Sequence, residues 1–447
     1  MYQLLVLIKL IAMIDSISIG TWHSVKASFH TILMTISFQL DKAEALSSHL
    51  GHPGAGIPAY IHVGGVLGKT STVVYLTRIL RACTSLRIGS FVHPWIISPR
   101  HCILINEQPV EESIYSELMR HVQQMDHIFR TDCTFYEKLV MTALMAFKTA
   151  GCDLIVVESA LGGTFDATNV LGRDGTTCTF LAVLLTKISL DHTKYLGGSV
   201  HSIATNIAGL VKPDVPVLIS EDQPPEALEA FSSCHIYDNS KKMMLSNRFF
   251  IQSPPHQQAG NVELALRTFH SLTPTLEEKF KITCHPPFPG VLSTVHLSSS
   301  FVHFFYLDRR VILDSAQNGG ANFCHWTRNV AVNPEETIHL VIGLGIKEDS
   351  VLREFFAILG ARPEYRFSFV DFSPPEGYPW IHSANRGHLR RLVADLYESL
   401  GIQPIVTNYT SLQQVLTVEE VQDSLILIFG SPHIVRDFYR VTGSRLE

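Results

Sequence analysis

The segment from Ile61 to Leu80, IHVGGVLGKTSTVVYLTRIL, constrains the fold of this 447-residue chain more than any other. An apolar, strand-like run ends at two glycines, passes through Gly-Lys-Thr-Ser and continues into apolar residues at helical spacing. Such a turn points backbone N–H groups and the positive end of the helix at an anion. Lys69 adds a mobile cation, and Ser71 adds a hydroxyl that can reach Mg²⁺. The segment predicts a nucleotide-phosphate loop, with an ordinary strand–turn–helix connection as the alternative. The expected binding residues are Gly65, Gly68, Lys69, Thr70 and Ser71.

Composition limits the classes of protein to consider. Hydrophobic residues make up 46% of the chain and charged residues 17%, which is typical of a globular protein. The formal net charge of −6 gives no general electrostatic reason to bind nucleic acid. The eight cysteines form no C-x-x-C pair, so neither a zinc site nor a disulfide framework is indicated. Reduced thiols favour the cytoplasm, with the mitochondrial matrix as the alternative.

The first 37 residues form an N-terminal extension. Their apolar runs are shorter than the ~20 residues that a bilayer span needs, so we expect no stable membrane insertion. The extension contains a single acidic residue, Asp15, as an organellar targeting peptide would, but no arginine. It is therefore either a targeting segment or a spurious addition to the fold.

Strand-like and helical runs alternate along the rest of the chain. Three apolar runs predict buried parallel strands, and residues 135–149 predict an amphipathic helix between them. A second alternating series follows the proline-rich run 285–290. The fold class is α/β, with a doubly wound, phosphate-loop-containing central domain over 38–288 and a smaller Rossmann-like α/β domain over 289–447. The predicted strands are 155–157, 180–185 and 215–219, then 302–307, 311–314, 338–342, 367–370, 405–408 and 425–429.

Two polar clusters follow predicted strands of the central domain. Glu158 ends a buried strand and precedes two glycines, and strand ends are where ligands bind in open α/β sheets. Glu158 is therefore a candidate Mg²⁺ ligand, unless it caps the next helix. His192 ends another apolar strand in the sequence Leu-Asp-His-Thr. Most of the 22 histidines must be ordinary, but this position makes His192 a candidate for the site.

These segments resemble the folylpolyglutamate synthase and dihydrofolate synthase branch of the Mur ligase superfamily. The similarity lies in residues 62–71, 158–169, 190–196 and 208–216, with weaker similarity at 313–318, 343–349 and 428–431. The shared order of these motifs spans roughly residues 40–440. A cell-wall ligase of the Mur type is disfavoured, because the sequence Leu190-Asp191-His192-Thr193 resembles the motif of the folate branch.

The resemblance implies an ATP-dependent ligase with its active site between two domains, acting in folate and one-carbon metabolism. ATP would phosphorylate a carboxylate of a folate or pteroate substrate, and the amine of L-glutamate would attack the acyl phosphate. Lys69 would hold the β- and γ-phosphates, and Lys69 and His192 would be the catalytic residues. Asp314 and Asn318 would close on the nucleotide. Ser71, Glu158 and His192 would hold Mg²⁺, and the protein would act as a monomer.

The chain also departs from the family pattern. Val66 and Leu67 replace a Thr-Asn pair in the loop, Thr70 replaces a glycine, and His93 replaces a serine that helps to bind metal. Three of these four positions lie in the phosphate loop, and the fourth, His93, lies in a separate segment. Polar groups are further replaced at Ile207 (a lysine that is carbamylated in the family), Val291 (an arginine) and Gln317 (a histidine).

Two hypotheses follow. In the first, the chain is a working folylpolyglutamate or dihydrofolate synthase with a remodelled site, because Lys69, Ser71, Glu158 and His192 are retained. In the second, it is a weak or inactive relative that binds nucleotide or folate, because several polar groups are lost. Losing one charged contact commonly costs about 100-fold in rate.

Overall fold

The computed structural model describes most of the chain from Leu40 onward. The described residues are 40–173, 178–233, 258–287, 291–292, 302–307, 309–315, 337–347, 349–362, 364–379, 381–407, 409–418 and 424–444. Three predictions concern residues outside these ranges: those for the N-terminal extension, Gln317 and Asn318. The structure does not test them. Among the described helices, none combines the length and apolar character required to cross a lipid bilayer.

The first sheet has seven strands in the order β4-β3-β2-β5-β1-β6-β7. Strands β2, β5, β1, β6 and β7 are parallel, and β3 and β4 continue the sheet as antiparallel edge strands. The three strands and the helix predicted for this region are confirmed, whereas the antiparallel edge was not foreseen. The strands are β1 Ala59–Gly64, β2 Ile88–Phe91, β3 Ile103–Ile105, β4 Gln108–Pro109, β5 Leu154–Glu158, β6 Phe180–Leu185 and β7 Val217–Ile219.

Helices cover both faces of this sheet, because alternate residues of its strands are apolar on both sides. On β1, Ile61 and Val63 pack into one apolar cluster, while Tyr60 packs into the cluster on the opposite face. The helices are α1 Asp41–His49, α2 Lys69–Cys83, α3 Glu112–Phe129, α4 Phe135–Thr149, α5 Thr193–Leu196, α6 Val200–Ala208, α7 Pro225–Ser233 and α8 Ala259–Phe280.

The second sheet has six strands in the order β12-β11-β10-β13-β9-β8, all parallel except β8 against β9. It too carries an apolar cluster on each face. All six predicted strands of this region are confirmed, while the boundary at 288/289 stays a prediction. The elements are β8 Val302–Tyr306, β9 Arg309–Asp314, β10 Thr337–Ile342, α9 Asp349–Leu359, β11 Tyr365–Phe369, α10 Arg386–Glu398, β12 Ile405–Val406, α11 Leu412–Thr417, β13 Ser424–Phe429 and α12 Pro432–Thr442.

An aromatic contact joins a loop of the second sheet to the first. Tyr378, in the loop after β11, stacks on Trp95 with ring centroids 5.4 Å apart, and its edge meets Phe135 at 5.8 Å. Trp95 follows β2, and Phe135 is the first residue of α4. Aromatic pairs at such distances add about 0.5–1.5 kcal/mol beyond their buried area. The loop that contains Tyr378 therefore packs against the segment after β2, which lies beside the candidate site.

Candidate active site

The predicted phosphate loop lies between the end of β1 and the start of α2. Its two outer glycines, Gly65 and Gly68, have φ of +141° and +85°, values that strongly favour glycine. Space excludes larger residues as well, because a Cβ on Gly65 would lie 2.0 Å from Thr186 Oγ1 and one on Gly68 2.1 Å from Asn261 Oδ1. The backbone path of the loop therefore requires both glycines.

The two apolar residues of the loop have structural partners. The backbone N–H groups of Val66 and Leu67 both donate to the Lys187 carbonyl, at 3.1 and 3.0 Å, and the Val66 side chain packs against an apolar cluster. These two amides therefore do not face a ligand. The N–H groups at the start of α2, which begins at Lys69, are left to bind an anion, because the first turn of a helix has no intrahelical acceptors for them.

Glu158 ends β5 directly beside the loop, because β1 and β5 are parallel neighbours in which Val63 is paired with Glu158. Its side chain is 1% exposed. Oε1 accepts a hydrogen bond from Thr70 Oγ1 at 3.0 Å, and Oε2 accepts one from the His93 backbone N–H at 3.2 Å. Glu158 is thus not the N-cap of any helix in the described part of the chain. Its oxygens lie between the loop and the segment after β2.

Burial raises the pKa of Glu158 to about 7, although the nearby Lys69 ammonium and the two hydrogen bonds favour its ionised form. A buried carboxylate that is only partly compensated suits a bound cation, which would hold it ionised. The site is therefore compatible with a divalent cation carried by a nucleotide. Among the described residues, no group of three His, Cys, Asp or Glu side chains is arranged to hold a metal without other ligands.

Unpartnered polar atoms gather at this edge of the sheet. Among the described residues, His93 Nε2, Ser159 Oγ and Thr186 Oγ1 are shielded from solvent and have no hydrogen-bond partner. Leaving one such group unpaired costs about 1–3 kcal/mol, so each requires an explanation. His93 follows β2, Ser159 follows β5, and Thr186 follows β6 and lies against Gly65. Their grouping around the loop indicates a ligand-binding edge.

His192 lies on the open side of the site. It precedes α5 with φ of 51°, its side chain is 49% exposed, and its Nε2 is 3.7 Å from Asp191 Oδ2. Burial lowers the pKa of His192, Asp191 raises it, and the cations Lys69 and Lys347 lower it. Lys347 comes from the loop after β10, so the second sheet brings a positive charge toward the same histidine. The metal-binding role of His192 stays a prediction.

The remaining predicted residues are placed as follows. Ser71 lies in the first turn of α2, and Asp314 is the last residue of β9, at the carboxyl edge of the second sheet. Sequence reasoning missed the contact of Thr70 with Glu158, the approach of Asn261 to Gly68 and the burial of Asp166. Nothing in the sequence marked Asn261, because the helix α8 that begins beside it carries polar and charged residues along its whole length.

Two of the departures from the family pattern are buried in apolar surroundings. Ile207 is fully buried in the cluster around β6 and α6, and Val291 packs in the cluster on one face of the first sheet. Lys212, five residues after Ile207, donates to Asn169 Oδ1 at 2.5 Å and lies over the Phe180 ring. These contacts agree with an ordinary structural role for Lys212.

Comparison with known proteins finds dihydrofolate synthetases among similar sequences and the fold of folylpolyglutamate synthase among solved structures. No family model matches the chain. Dihydrofolate synthetase of Saccharomyces cerevisiae is 25% identical over 445 residues, covering 93% of this chain and all of that protein. A probable dihydrofolate synthetase of Schizosaccharomyces pombe is 23% identical, covering 91% and 99%. Among solved structures, Mycobacterium tuberculosis folylpolyglutamate synthase complexed with ADP has a TM-score of 0.71 at 19% identity, covering 96% of this chain and 100% of that one.

Proposed function

Because this chain belongs to the folylpolyglutamate synthase and dihydrofolate synthase family, we propose that it is an ATP-dependent ligase that joins L-glutamate to a folate or pteroate carboxylate. The observation that carries the proposal is the pairing of a phosphate loop, at the start of α2, with the buried Glu158 on the adjacent parallel strand. Dihydropteroate is the favoured acceptor, since both relatives matched end to end are named for dihydrofolate synthesis.

The reaction requires two displacements. A carboxylate oxygen of the acceptor attacks the γ-phosphorus of ATP, and ADP leaves. The amine of glutamate then attacks the acyl carbon, phosphate leaves, and the amine loses a proton. Side chains do little covalent work in such reactions, so catalysis depends on positioning and charge neutralisation.

The residues of the site divide these tasks. Lys69 and the first N–H groups of α2 bind the β- and γ-phosphates, while Gly65 and Gly68 shape the loop. We assign Ser71, Glu158 and His192 to a divalent cation, which when bound neutralises charge on the phosphate oxygens. Asp314 and Asn318 are proposed to contact the nucleotide from the second sheet.

The proposal also covers the cation, the oligomeric state and the cellular compartment. We expect Mg²⁺ as the physiological cation, a monomer as the working unit, and the cytoplasm as the compartment. The scattered cysteines support a reducing compartment, and the six among the described residues are all free thiols. A mitochondrial location is the alternative, since one relative, from Cricetulus griseus, is named a mitochondrial folylpolyglutamate synthase.

ADP release tests the proposal directly. The purified protein is given Mg-ATP, L-glutamate and either dihydropteroate or tetrahydrofolate, and the product is identified by the mass of one added glutamyl residue. Lys69→Ala is expected to lower acceptor-dependent ADP release about 100-fold or more. Lys279→Ala, which removes an exposed lysine of α8, is the matched control and is expected to behave as the wild type.

The outcome separates the two hypotheses raised by the sequence. Release that depends on both acceptor and glutamate supports a ligase, and the better acceptor identifies which one. No release above the Lys69→Ala blank, in protein with a cooperative unfolding transition, would reject catalysis and leave a nucleotide- or folate-binding relative.

A further inference from the structure

The loop between β11 and α10 is fixed to the second sheet at its base. The Phe372 N–H donates to Ser383 Oγ at 3.1 Å, which ties the two ends of the loop together. The Ser373 N–H donates to Asp437 Oδ2 at 2.7 Å, and the Ser373 carbonyl accepts a hydrogen bond from Arg436, which is fully buried. Asp437 and Arg436 both belong to α12 and are joined by an ion pair. The base of this loop therefore moves with the second sheet.

The tip of the same loop lies against the first sheet. The Tyr378 ring stacks on Trp95 at a centroid distance of 5.4 Å and meets Phe135 at 5.8 Å. Tyr378 packs with an apolar cluster of the first sheet, whereas Phe372, at the base of the loop, is buried in a cluster of the second. A Cβ on Gly377 would lie 2.3 Å from the Phe135 ring, so the backbone of the tip also approaches closely. The loop thus joins the apolar interiors of the two sheets.

The segment after β2 makes the reciprocal connection. Ile96 and Ile97 pack against the cluster of the second sheet that contains the base of the loop. Earlier in the segment, the His93 N–H donates to Glu158 Oε2 at 3.2 Å. The His93 carbonyl lies 3.3 Å from Thr70 Oγ1, whose hydrogen is donated to Glu158 Oε1. One short segment therefore carries both the ring that the loop covers and the backbone groups that hold Glu158.

On the basis of the proposed function, we propose that Tyr378 is a positioning residue, whose ring holds the segment after β2 where the His93 backbone keeps Glu158 oriented in the cation site. One of the two hydrogen bonds to Glu158 comes from that backbone, and the Thr70 hydroxyl that gives the other lies against the same peptide. Because the base of the loop is fixed to α12, Glu158 is fully supported only when the second sheet is seated against the first. Seating of the second sheet and binding of the nucleotide with its cation then favour one another, since such coupling is reciprocal.

Nucleotide binding tests this role without turnover. Calorimetry measures the affinity of the full-length protein for the non-hydrolysable analogue AMPPNP at a fixed Mg²⁺ concentration. Tyr378→Ala should weaken binding about tenfold, because the segment after β2 loses its stacking partner. Raising the Mg²⁺ concentration should restore part of the affinity, since the defect lies in the support of a cation ligand. Phe305→Ala, which removes a 79% exposed ring from β8, is the matched control and should bind as the wild type does.

Two further variants separate the ring of Tyr378 from its hydroxyl and from its volume. Tyr378→Phe keeps the stack on Trp95 and should bind AMPPNP as the wild type does. Tyr378→Leu fills much of the same space without an aromatic face and should weaken binding, and it takes the place of the alanine variant if that variant does not fold. An equal loss of affinity in Tyr378→Phe would overturn the assignment to the ring.

Fluorescence of Trp95 reports the contact itself. The chain has four tryptophans, so the Trp95 signal is taken as the difference between each protein and its Trp95→Phe counterpart. Loss of the tyrosine ring should expose Trp95 and shift its emission to longer wavelength. Mg²⁺ and AMPPNP together should shift the emission of the wild type to shorter wavelength and leave that of Tyr378→Ala unchanged. A ligand response of equal size in both proteins would show that the ring does not couple the loop to the site.

Failure of this inference differs from failure of the proposed function. If Tyr378→Ala lowers the unfolding midpoint but binds AMPPNP as tightly as the wild type, the role of Tyr378 is structural only, and the ligase proposal stands. Weaker binding that no Mg²⁺ concentration improves would overturn the link to the cation site. If the wild type binds no AMPPNP in the presence of Mg²⁺, both proposals are rejected. Weaker binding that Mg²⁺ partly restores, together with wild-type behaviour of Tyr378→Phe, supports the inference.

Discussion

Two buried carboxylates, Glu158 at the end of β5 and Asp166 in the loop that follows, are satisfied in opposite ways. Asp166 accepts hydrogen bonds from the backbone N–H groups of Ala160, Leu161 and Thr168, at 2.9–3.0 Å, and from the Thr168 and Tyr136 hydroxyls. Most of these donors belong to its own loop. Glu158 accepts two, both from segments at least 65 residues away in sequence.

The difference separates a folding role from a binding role. Burial raises the pKa of both carboxyl groups, so burial alone does not distinguish them. Asp166 has a full set of donors and caps the short 3₁₀ helix Ala167–Val170, as an N-cap carboxylate should. Glu158 faces Lys69 with fewer donors than it can accept. We therefore expect loss of Asp166 to affect stability and loss of Glu158 to affect activity.

The largest expected effect is that of Asp166→Ala. The substitution leaves three backbone N–H groups without acceptors inside the protein, and we expect the free energy of unfolding to fall by about 4 kcal/mol. Urea denaturation measures it. Asp166→Asn keeps one acceptor oxygen and should lose less. An alanine variant as stable as the wild type would show that water replaces the carboxylate, and the comparison with Glu158 would fail.

Glu158→Gln is expected to act on rate instead. Glutamine keeps the size and one acceptor oxygen but cannot supply negative charge to a cation, so acceptor-dependent ADP release should fall about 100-fold, or about 2.7 kcal/mol of activation free energy. The unfolding midpoint should remain near that of the wild type. Glu137→Gln is the matched control, because Glu137 is a buried glutamate that only completes the capping box of α4. Equal activity of both variants would remove Glu158 from the site.

The sequence predicts those features of the fold that neighbouring residues encode, and it does not predict those that depend on contacts between distant residues. The parallel strands of both sheets were predictable, because continuous apolar runs alternate with helical ones. The β3–β4 hairpin was not, since its turn is Asn106-Glu107, with φ of 51° and 67°, and lacks the glycine that marks such turns.

The candidate site, too, could be predicted only where its residues are contiguous in sequence. The loop was predictable because strand, glycines, lysine and helix start are contiguous in sequence. The partners of Glu158 were not, because Thr70 lies 88 residues before it and reaches it only through the register of β1 against β5. Likewise, nothing local in the sequence states that Asp166 rather than Glu158 is the helix cap. Glu158 is the last residue of β5 and Asp166 lies eight residues later, and each has a hydroxyl-bearing residue one or two positions after it.

Gly377→Ala tests whether Glu158 depends on the second sheet. A Cβ at Gly377 would lie 2.3 Å from the Phe135 ring, so the Tyr378 loop must move off Trp95, which is two residues from His93. We expect a loss of about 2 kcal/mol in unfolding free energy beyond that of Gly360→Ala, together with reduced turnover. Gly360 is the matched control, since its φ of +73° is similar and nothing lies within 4 Å. Identical losses in the two variants would attribute the effect to backbone strain alone.

The smallest expected effect concerns His62, which extends the hydrogen-bonded set of Asp166. His62 Nε2 lies 2.8 Å from Thr168 Oγ1, and because that hydroxyl donates to Asp166, the ring must donate to it. Burial, aided by Lys212, lowers the pKa of His62 from 6.5 to about 3. Between these values the unfolded chain binds a proton that the folded protein does not, so stability falls as the pH falls.

Stability as a function of pH isolates this contribution. From about pH 6 to about pH 5, His62 should account for about 1 kcal/mol of the loss in unfolding free energy. His62→Gln, which retains a donor toward Thr168, should lose correspondingly less over the same interval, as measured by urea denaturation at each pH. The other buried histidines remain in both proteins, so the difference between them belongs to His62. An unchanged pH dependence in the variant would mean that the ring takes up a proton in the folded protein. Asp166 would then face a cation, as Glu158 does, and the distinction between the two carboxylates would no longer hold.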